Sequence, residues 1–251
     1  MVKDEEDIIA DTLLNLDHQG VDGIIVSDNN STDRTAEIVR ALDTTCQLVV
    51  QSDSDPAYYQ SQKMTTLAQQ AFHLGADWVL PFDADEFWYG TGTSLRMAIS
   101  RTRGVDCLHA TLYNYFPCES DDPDETRPAR RIVNRDPKPA PLPKVVVRNR
   151  PDVIIGQGNH SATATGGFKT RSAPLAIAHY PWRSLEQYER KIRNGGAAYA
   201  QTTLPDVYGA HWRQHWQILA EQGPEALSEV FHEFYFDPDI DLEYMPMPWR
   251  D

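Results

Sequence analysis

The stretch that decides the fold prediction is VLPFDADEFW, residues 79–88, where an apolar run stops at three carboxylates within four residues. Asp83, Asp85 and Glu86 repel one another unless a positive charge lies between them. Alternate side chains of an extended segment share a face, so we expect Asp83 and Asp85 to offer oxygen ligands to one divalent cation. The alternative is an acidic loop at a strand end, which is the more common meaning of an isolated D-x-D pattern.

Composition sets the class of protein. The chain has 251 residues, 41% of them hydrophobic and 24% charged, which is ordinary for a folded protein with one sizeable core. Its formal net charge of -14 argues against nucleic-acid binding, because phosphate contacts need clustered Lys and Arg. The cysteines, Cys46, Cys107 and Cys118, form no CxxC pair, so we expect neither a disulfide framework nor a structural zinc site.

The cysteines and the apolar runs of the sequence also predict where in the cell the protein is located. The cysteine use fits a reducing cytoplasm. No signal peptide opens the chain, and no apolar run reaches the ~20 residues of a transmembrane helix. We therefore expect a cytoplasmic protein, with peripheral contact at the inner membrane face as the alternative.

Strands alternate with helices in the first third of the chain. We expect strands at residues 23–27 and 47–51, and helices at 5–19, 35–42 and near 64–72. This order predicts an α/β fold with a mainly parallel central sheet and helices on both faces. Ligands bind beyond the carboxyl ends of the strands in such a sheet. Asp28 and Asp83 each follow a strand, so we expect both at that edge.

The order of these motifs resembles a known family. VKDEEDII (residues 2–9), IIVSDNNSTDRT (24–35), a helix with Lys63 and WVLPFDADEFW (78–88) are similar to the nucleotide-diphospho-sugar-binding half of family 2 and related glycosyltransferases with the GT-A fold. With this resemblance, residues 1–203 are expected to form one GT-A-like domain. Its nucleotide-binding half spans residues 1–90 and its acceptor half 91–203, and a helical C-terminal extension follows at 204–251.

The resemblance also implies site residues in the first half. Asp28 is expected to contact the nucleotide base or ribose, Asp83 the ribose and a metal ion, and Asp85 the metal ion. Lys63 is expected near the donor, with a solvated lysine as the alternative. The implied cofactor is Mn²⁺ or Mg²⁺, and the implied donor is a UDP- or GDP-linked sugar.

One departure from the family lies at the start of the chain. Family members have an apolar strand before the acidic residues, whereas this sequence opens with MVKD. Either the first strand is very short or the recorded start is too late.

A basic run stands out in the second half. Seven prolines in residues 117–143 predict an irregular surface excursion. Residues 127–150 are rich in positive charge: Arg127, Arg130, Arg131, Arg135, Lys138, Lys144, Arg148 and Arg150. The run is either a solvated edge or a site for an anionic acceptor or a donor phosphate.

Two late histidines complete the candidate site. His160 follows GQGN (residues 156–159), and it either polarises an acceptor hydroxyl or caps a turn. His179 directly follows an expected strand at 175–178. Many metal-dependent members of the resembled fold use a late histidine as a third metal ligand, so the resemblance makes His179 our candidate, with a structural role as the alternative. Arg183 opens a basic helix that we expect to end near Gly195 and to neutralise the donor diphosphate.

Two expected helices, broken at Gly223-Pro224, are rich in aromatic residues. Packing on the main domain, or a homodimer through these helices, explains those aromatics.

The sequence as a whole predicts a metal-dependent glycosyltransferase, and family resemblance favours inversion, which needs a general base. Glu86 and His160 are the candidates for that base. A metal-dependent nucleotidyltransferase and a non-catalytic nucleotide- or sugar-binding module are the alternatives.

Overall fold

The computed structural model describes residues 1–247, so the last four residues of the expected C-terminal extension lie outside the described part. The helices are α1 Ile9–His18, α2 Thr35–Ala41, α3 Gln60–His73, α4 Leu95–Ser100, α5 Pro128–Arg131, α6 Leu185–Ala200, α7 Ala210–Gln222 and α8 Pro224–Phe234. The strands are β1 Gly23–Asp28, β2 Gln47–Ser52, β3 Trp78–Val79, β4 Glu86–Gly90, β5 Cys107–Phe116, β6 Asn134–Arg135, β7 Lys144–Arg148, β8 Ile154–Ile155, β9 Ala162–Thr163, β10 Thr170–His179 and β11 Glu243–Tyr244. A 3-10 turn spans Gln157–Asn159.

The first β-α-β unit forms as predicted. β1 and β2 pair in parallel over six residues, from Gly23 opposite Gln47 to Asp28 opposite Ser52, with α2 as the crossover between them. Val2 adds one parallel bridge to Asp28 on the other edge of β1. Asp28 therefore lies at the carboxyl end of a strand with neighbours on both sides.

The central sheet differs from the prediction. Seven strands form it, and the pairs β3–β7, β7–β5, β5–β6, β6–β11 and β10–β4 are all antiparallel. Only β5 and β10 run in parallel. The expectation of a mainly parallel sheet is therefore wrong. Parallel neighbours need long crossovers, usually helical, and beyond Phe116 the strands are joined mainly by loops.

Helices cover both faces of the sheet, as predicted. One cluster packs α1, α2 and α4 on one face through Leu13, Val39 and Leu95. A second cluster packs α3 on the opposite face. Successive side chains of β7 point to opposite faces of the sheet: Val146 belongs to the first cluster, and Val145 and Val147 belong to the second.

The C-terminal helices pack on α6 rather than standing apart. Trp182 and Tyr188 meet edge to face at 4.9 Å, and Leu227 and Phe231 of α8 complete this cluster. Trp212 and Phe231 of these helices are thus used inside the chain, whereas Trp216 and Phe234 are 37% and 53% exposed. Within residues 1–247, no helix has the length and apolar character needed to cross a membrane.

α6 continues past the glycines that we expected to end it. The helix runs to Ala200, and Gly195 and Gly196 lie where α7 approaches it closely. A Cβ at Gly195 would overlap the Trp212 ring, and one at Gly196 would overlap the Cβ and Cγ of Trp216. These two glycines serve helix packing instead of helix termination.

We predict that Gly196→Ala lowers the free energy of unfolding by about 1–3 kcal/mol, because the added methyl group displaces α7. Helix propensity alone predicts the opposite sign, a gain of roughly 0.5–1 kcal/mol. Urea unfolding measures the difference, and Ala197→Gly at an exposed position of the same helix calibrates the propensity term. A stabilised Gly196→Ala variant would show that α7 does not contact α6 there.

Candidate active site

The acidic motif forms a tight turn instead of an extended segment. The N–H of Glu86 donates to the carbonyl of Asp83 at 3.1 Å, and β4 begins at Glu86. The expectation that strand alternation aligns Asp83 with Asp85 is therefore wrong. Asp85 is 4% exposed and Glu86 is fully buried, so the turn carries its charges inside the protein.

Two lysines neutralise this buried turn. Lys144 Nζ, at the start of β7, lies 2.7 Å from Asp83 Oδ2 and 2.6 Å from Glu86 Oε1. Lys191 Nζ, on α6, contacts Asp85 Oδ2 and lies 3.2 Å from Glu5 Oε1. Our sequence reasoning noted Lys144 only as a member of the basic run, and Lys191 belongs to the helix that it described only as basic. Nothing in their local sequence shows which carboxylates they meet.

The charge state of the turn follows from burial and these lysines. Burial alone would raise the pKa of Asp83 and Asp85, but Lys144 and Lys191, respectively, outweigh it, and both pKa values lie below the ordinary range. Burial raises the pKa of Glu86 to about 8, since Lys144 only partly offsets desolvation and repulsion from Asp83. Both aspartates are ionised at neutral pH.

Asp83 is held by three donors. Its Oδ1 accepts from Gln60 Nε2 at 3.0 Å and from Asn159 Nδ2 at 3.2 Å, while Lys144 occupies Oδ2. Gln60 in turn accepts the N–H of Gly158 at 2.8 Å. The start of α3 and the GQGNH loop therefore meet at Asp83.

Glu86 is enclosed by the protein. Its Oε2 accepts from the indole Nε1 of Trp88 at 3.1 Å and from the N–H of Asp83 at 3.3 Å, and Lys144 lies against Oε1. A fully buried carboxyl group with these contacts has no open side for an acceptor hydroxyl. The structure gives Glu86 an internal, turn-stabilising position.

His179 faces Asp85 across the sheet. It ends β10, opposite Glu86 of β4 and Asn114 of β5. Its Nδ1 lies 2.8 Å from Asn114 Oδ1, and its Nε2 lies 3.7 Å from Asp85 Oδ1. Burial, the largest effect, lowers the pKa of His179 to about 4 although Asp85 opposes the shift, so the imidazole is neutral at pH 7.

The two atoms that face each other here, His179 Nε2 and Asp85 Oδ1, could both be ligands of a cation. A neutral His179 that donates Nδ1–H to Asn114 leaves a lone pair on Nε2, which faces the ionised Asp85 Oδ1. Two acceptors that face each other are stabilised by a cation bound to both, and imidazole with carboxylate is a common ligand pair for Mn²⁺. Within residues 1–247, no three His, Cys, Asp or Glu side chains are grouped to hold a metal ion. Asp85 and His179 thus fit as two ligands, and Asp83 lies in a separate network.

His160 lies on the loop that holds Asp83. Its Nδ1 is 3.0 Å from the carbonyl of Pro143, to which it donates, so Nε2 is the free basic nitrogen. Burial and the nearby Lys144 lower its pKa. Gly158, at φ 73°, leaves room for the imidazole, because a Cβ there would overlap the ring.

The end of β1 carries an unpaired carboxylate oxygen. Asp28 is 7% exposed, and its Oδ1 has no hydrogen-bond partner in the described chain. Asn29, beside it, donates to Asp53 Oδ2 at 2.9 Å. Lys63 lies 2.6 Å from the same carboxylate, so its ammonium fixes the loop after β2. Asp28 is therefore the residue here with capacity left for a ligand.

Arg183 links the N-terminal segment to the start of α6 through buried ion pairs. It is 1% exposed, and its Nε and Nη2 donate to the two carboxylate oxygens of Asp7 at 2.8 and 2.9 Å. It also contacts Glu5, which pairs with Lys191. Glu5 and Asp7 raise the pKa of Arg183 above its ordinary value despite burial, which opposes the shift most strongly. The side chain thus supports Lys191 from behind instead of facing a ligand.

The basic run of the second half is dispersed over separate contacts. Arg127 pairs with Asp11, Arg135 with Glu243 at 2.9 Å, and Arg150 with Asp152 at 3.2 Å. Arg148 stacks on Trp78, and Arg131 donates to the carbonyl of Arg183. Arg127, Arg135 and Arg150 thus balance nearby acids, and Arg148 and Arg131 contact an aromatic ring and a backbone carbonyl.

Comparison with known proteins gives no family. The chain matches no known protein-family profile and no curated protein. Among solved structures it is similar to HddC from Yersinia pseudotuberculosis, over 66% of this chain and 77% of that one, with 13% identity and a TM-score of 0.37. It is also similar to residues 1–349 of TarS from S. aureus, solved in complex with UDP, over 93% of this chain and 70% of that one, with 16% identity and a TM-score of 0.41. At this level of likeness neither structure assigns a role to a residue of this chain.

We predict that Lys144→Met lowers the free energy of unfolding by about 3–5 kcal/mol, because it leaves the ionised, largely enclosed Asp83 without its counter-charge. Lys138→Met, at an exposed position of the same basic run, should change it by no more than about 0.5 kcal/mol. Urea unfolding at pH 7 compares the two. Equal stability of both variants would show that the acidic turn does not depend on Lys144.

Proposed function

We propose that this chain is a glycosyltransferase that moves a sugar from a nucleoside diphosphate donor to an acceptor. The observation that carries the proposal is that the imidazole of His179 is neutral and that its Nε2 lies 3.7 Å from the ionised carboxylate of Asp85. This pair suits a divalent cation, and a cation beside a diphosphate is a common device for assisting its departure. Asp28 is consistent with binding of the nucleoside part of the donor, because its buried Oδ1 lacks a hydrogen-bond partner within residues 1–247.

Three residues are assigned to the donor and its metal ion. Asp85 and His179 would hold Mn²⁺ or Mg²⁺, and the nitrogen ligand favours Mn²⁺. When bound, the ion supplies positive charge next to the leaving diphosphate. Within residues 1–247, Lys144 is the one donor to Asp83 Oδ2, so this oxygen has capacity for one ribose hydroxyl. The donor is a UDP- or GDP-linked sugar.

His160 is assigned as the general base. Its Nδ1–H donates to a backbone carbonyl, which fixes the ring and directs the basic Nε2 away from that contact. Its lowered pKa keeps it neutral and able to take a proton from an acceptor hydroxyl. Since Glu86 is enclosed, His160 is the better placed of the two candidates. A general base of this kind is what an inverting transfer requires.

A thermal-shift screen of UDP, GDP and their sugars, with and without Mn²⁺, tests the proposal, because a ligand that binds the folded state raises the melting temperature. Glycosyl transfer predicts a metal-dependent shift and release of the nucleoside diphosphate from the donor sugar. Pyrophosphate release from a nucleoside triphosphate would instead indicate a nucleotidyltransferase. A shift without turnover on a broad acceptor panel would indicate a binding module.

We predict that Asp85→Asn and His179→Gln each abolish the Mn²⁺-dependent part of the thermal shift, since each removes one of two protein ligands. His160→Gln should keep that shift and lower turnover roughly 100-fold or more, because the base acts after the donor is bound. Asp43→Asn, at an exposed position, is the charge-matched control. If His160→Gln alone changed the metal dependence, the GQGNH loop would hold the ion.

We predict that Asp28→Asn weakens binding of the nucleoside and of the nucleoside diphosphate by a similar factor, about 10-fold for one lost charge-assisted hydrogen bond. The reason is that the unpaired Oδ1 is expected to accept from the base or ribose. Calorimetry with both ligands measures the two factors. A loss confined to the diphosphate would place Asp28 at the phosphates and contradict the assignment.

A further inference from the structure

Two amide side chains hold the same carboxylate oxygen in the candidate site. Gln60, the first residue of α3, donates from Nε2 to Asp83 Oδ1 at 3.0 Å, and Asn159 donates from Nδ2 to the same atom at 3.2 Å. Both side chains are enclosed, since Gln60 is 2% and Asn159 is 0% exposed. We call this pair, Gln60 and Asn159 on Asp83 Oδ1, the amide clamp.

The ionised carboxylate fixes the orientation of both amides. A carboxylate without a proton can only accept hydrogen bonds, so the nitrogen of each amide must face Asp83. The oxygen of Gln60 accepts the N–H of Gly158 at 2.8 Å. The oxygen of Asn159 is buried and has no hydrogen-bond partner within residues 1–247. Gln60 thus uses both ends of its amide, whereas Asn159 leaves an acceptor unpaired.

The backbone at Asn159 has an uncommon conformation. Its φ is 58°, and Gly158 before it has a φ of 73°, so two consecutive residues lie in the left-handed region. Glycine adopts this region freely, whereas a residue with a Cβ does so at a cost, which is smaller for asparagine than for most. The turn brings the N–H of Gly158 to Gln60 and the side chain of Asn159 to Asp83. Both halves of the amide clamp therefore depend on this turn.

Stability does not explain why asparagine occupies position 159. Its hydrogen bond to an ionised carboxylate stabilises the fold. The buried, unpaired Oδ1 and the left-handed backbone destabilise it and offset that gain. Asp83 already has a counter-charge in Lys144 and a donor in Gln60. Unfavourable features of this kind concentrate at functional sites, and a role of Asn159 in ligand binding accounts for them.

The amide clamp leaves Asp83 with one open position. A carboxylate oxygen accepts about two hydrogen bonds, so Oδ1 is filled by the two amides. Oδ2 accepts from Lys144 at 2.7 Å and has a second position left. The Asp83 side chain is 29% exposed, so a ligand can reach it. Because three donors fix the plane of the carboxylate, they also fix the direction of this open position.

We propose that Asn159 is a positioning residue that, together with Gln60, sets the direction in which Asp83 Oδ2 accepts one ribose hydroxyl of the donor. The inference rests on the proposed function, which assigns the ribose to Asp83. A fixed, charged acceptor discriminates against a ligand that lacks the hydroxyl, because the acceptor is then left unpaired. Without the amide clamp the carboxylate can turn, and the discrimination weakens. Asn159 thereby favours ribose over deoxyribose without touching the ligand.

The test compares the parent chain with Asn159→Gly by calorimetry in the presence of Mn²⁺. The ligands are UDP and GDP and the 2′-deoxy and 3′-deoxy forms of each. For the base that binds, the parent chain should bind one deoxy form about 10-fold more weakly than the ribose form. Asn159→Gly should lose most of this difference, because its affinity for the ribose form falls while its affinity for that deoxy form stays nearly unchanged. Gln60→Met removes the other amide and should behave in the same way, and it decides the question if Asn159→Gly does not fold.

Thermal stability separates positioning from a merely structural role. Glycine adopts a φ of 58° without strain, so Asn159→Gly should melt no more than about 3 °C below the parent chain. Asn30→Gly is the matched control for stability, because Asn30 has a φ of 54° and an exposed side chain. It calibrates the effect of glycine in this conformation on the melting temperature.

The outcomes distinguish this inference from the proposed function. Ribose and deoxy forms weakened alike in Asn159→Gly, or no weakening of either, would overturn the role of Asn159 and leave the proposed function standing. Equal binding of the ribose form and both deoxy forms by the parent chain would do the same, since Asp83 would then not contact the ribose. Failure of the parent chain to bind either UDP or GDP would overturn the proposed function, and this inference with it.

Discussion

Neutralisation of the buried acidic turn is the constraint on which the rest of the structure depends. Asp83, Asp85 and Glu86 lie within four residues; Asp85 and Glu86 are almost inaccessible to water, and the Asp83 side chain is 29% exposed. The two ionised aspartates therefore each need a counter-charge from elsewhere in the chain. Lys144 lies 61 residues from Asp83, and Lys191 lies 106 residues from Asp85. The two contacts fix the start of β7 and the middle of α6 against one short turn.

A series of ion pairs extends this constraint to the N-terminal segment. Asp7 pairs with Arg183, Arg183 with Glu5, Glu5 with Lys191, and Lys191 with Asp85. The VKDEED stretch therefore does two things: its backbone meets the end of β1, and its carboxylates brace the lysine behind Asp85. Arg183, Glu5 and Lys191 each contact two other members, so we expect the energetic effects of removing single members to be non-additive.

Local patterns were predicted well, and long-range pairing was not. β1, α2 and β2 lie within a residue or so of their expected bounds, because apolar runs and turn residues act within a few positions. The direction of β10 against β4 depends on loops that carry no local signal of strand order, and the expectation of a mainly parallel sheet was wrong. The role of Lys144 was missed for the same reason. The position of His179 at a strand end was readable from sequence, whereas its contact with Asn114 required the sheet register.

The same charge arrangement bears on how a donor could bind. Lys191 occupies Asp85 Oδ2, so under the proposed function Asp85 offers a cation its Oδ1 alone, beside His179. A second positive centre close to Lys191 is repelled unless further negative charge arrives with it. A diphosphate supplies that charge and gives Lys191 an alternative partner. Binding of the ion and of the diphosphate should therefore be mutually favourable, and linkage requires each to strengthen the other by the same factor.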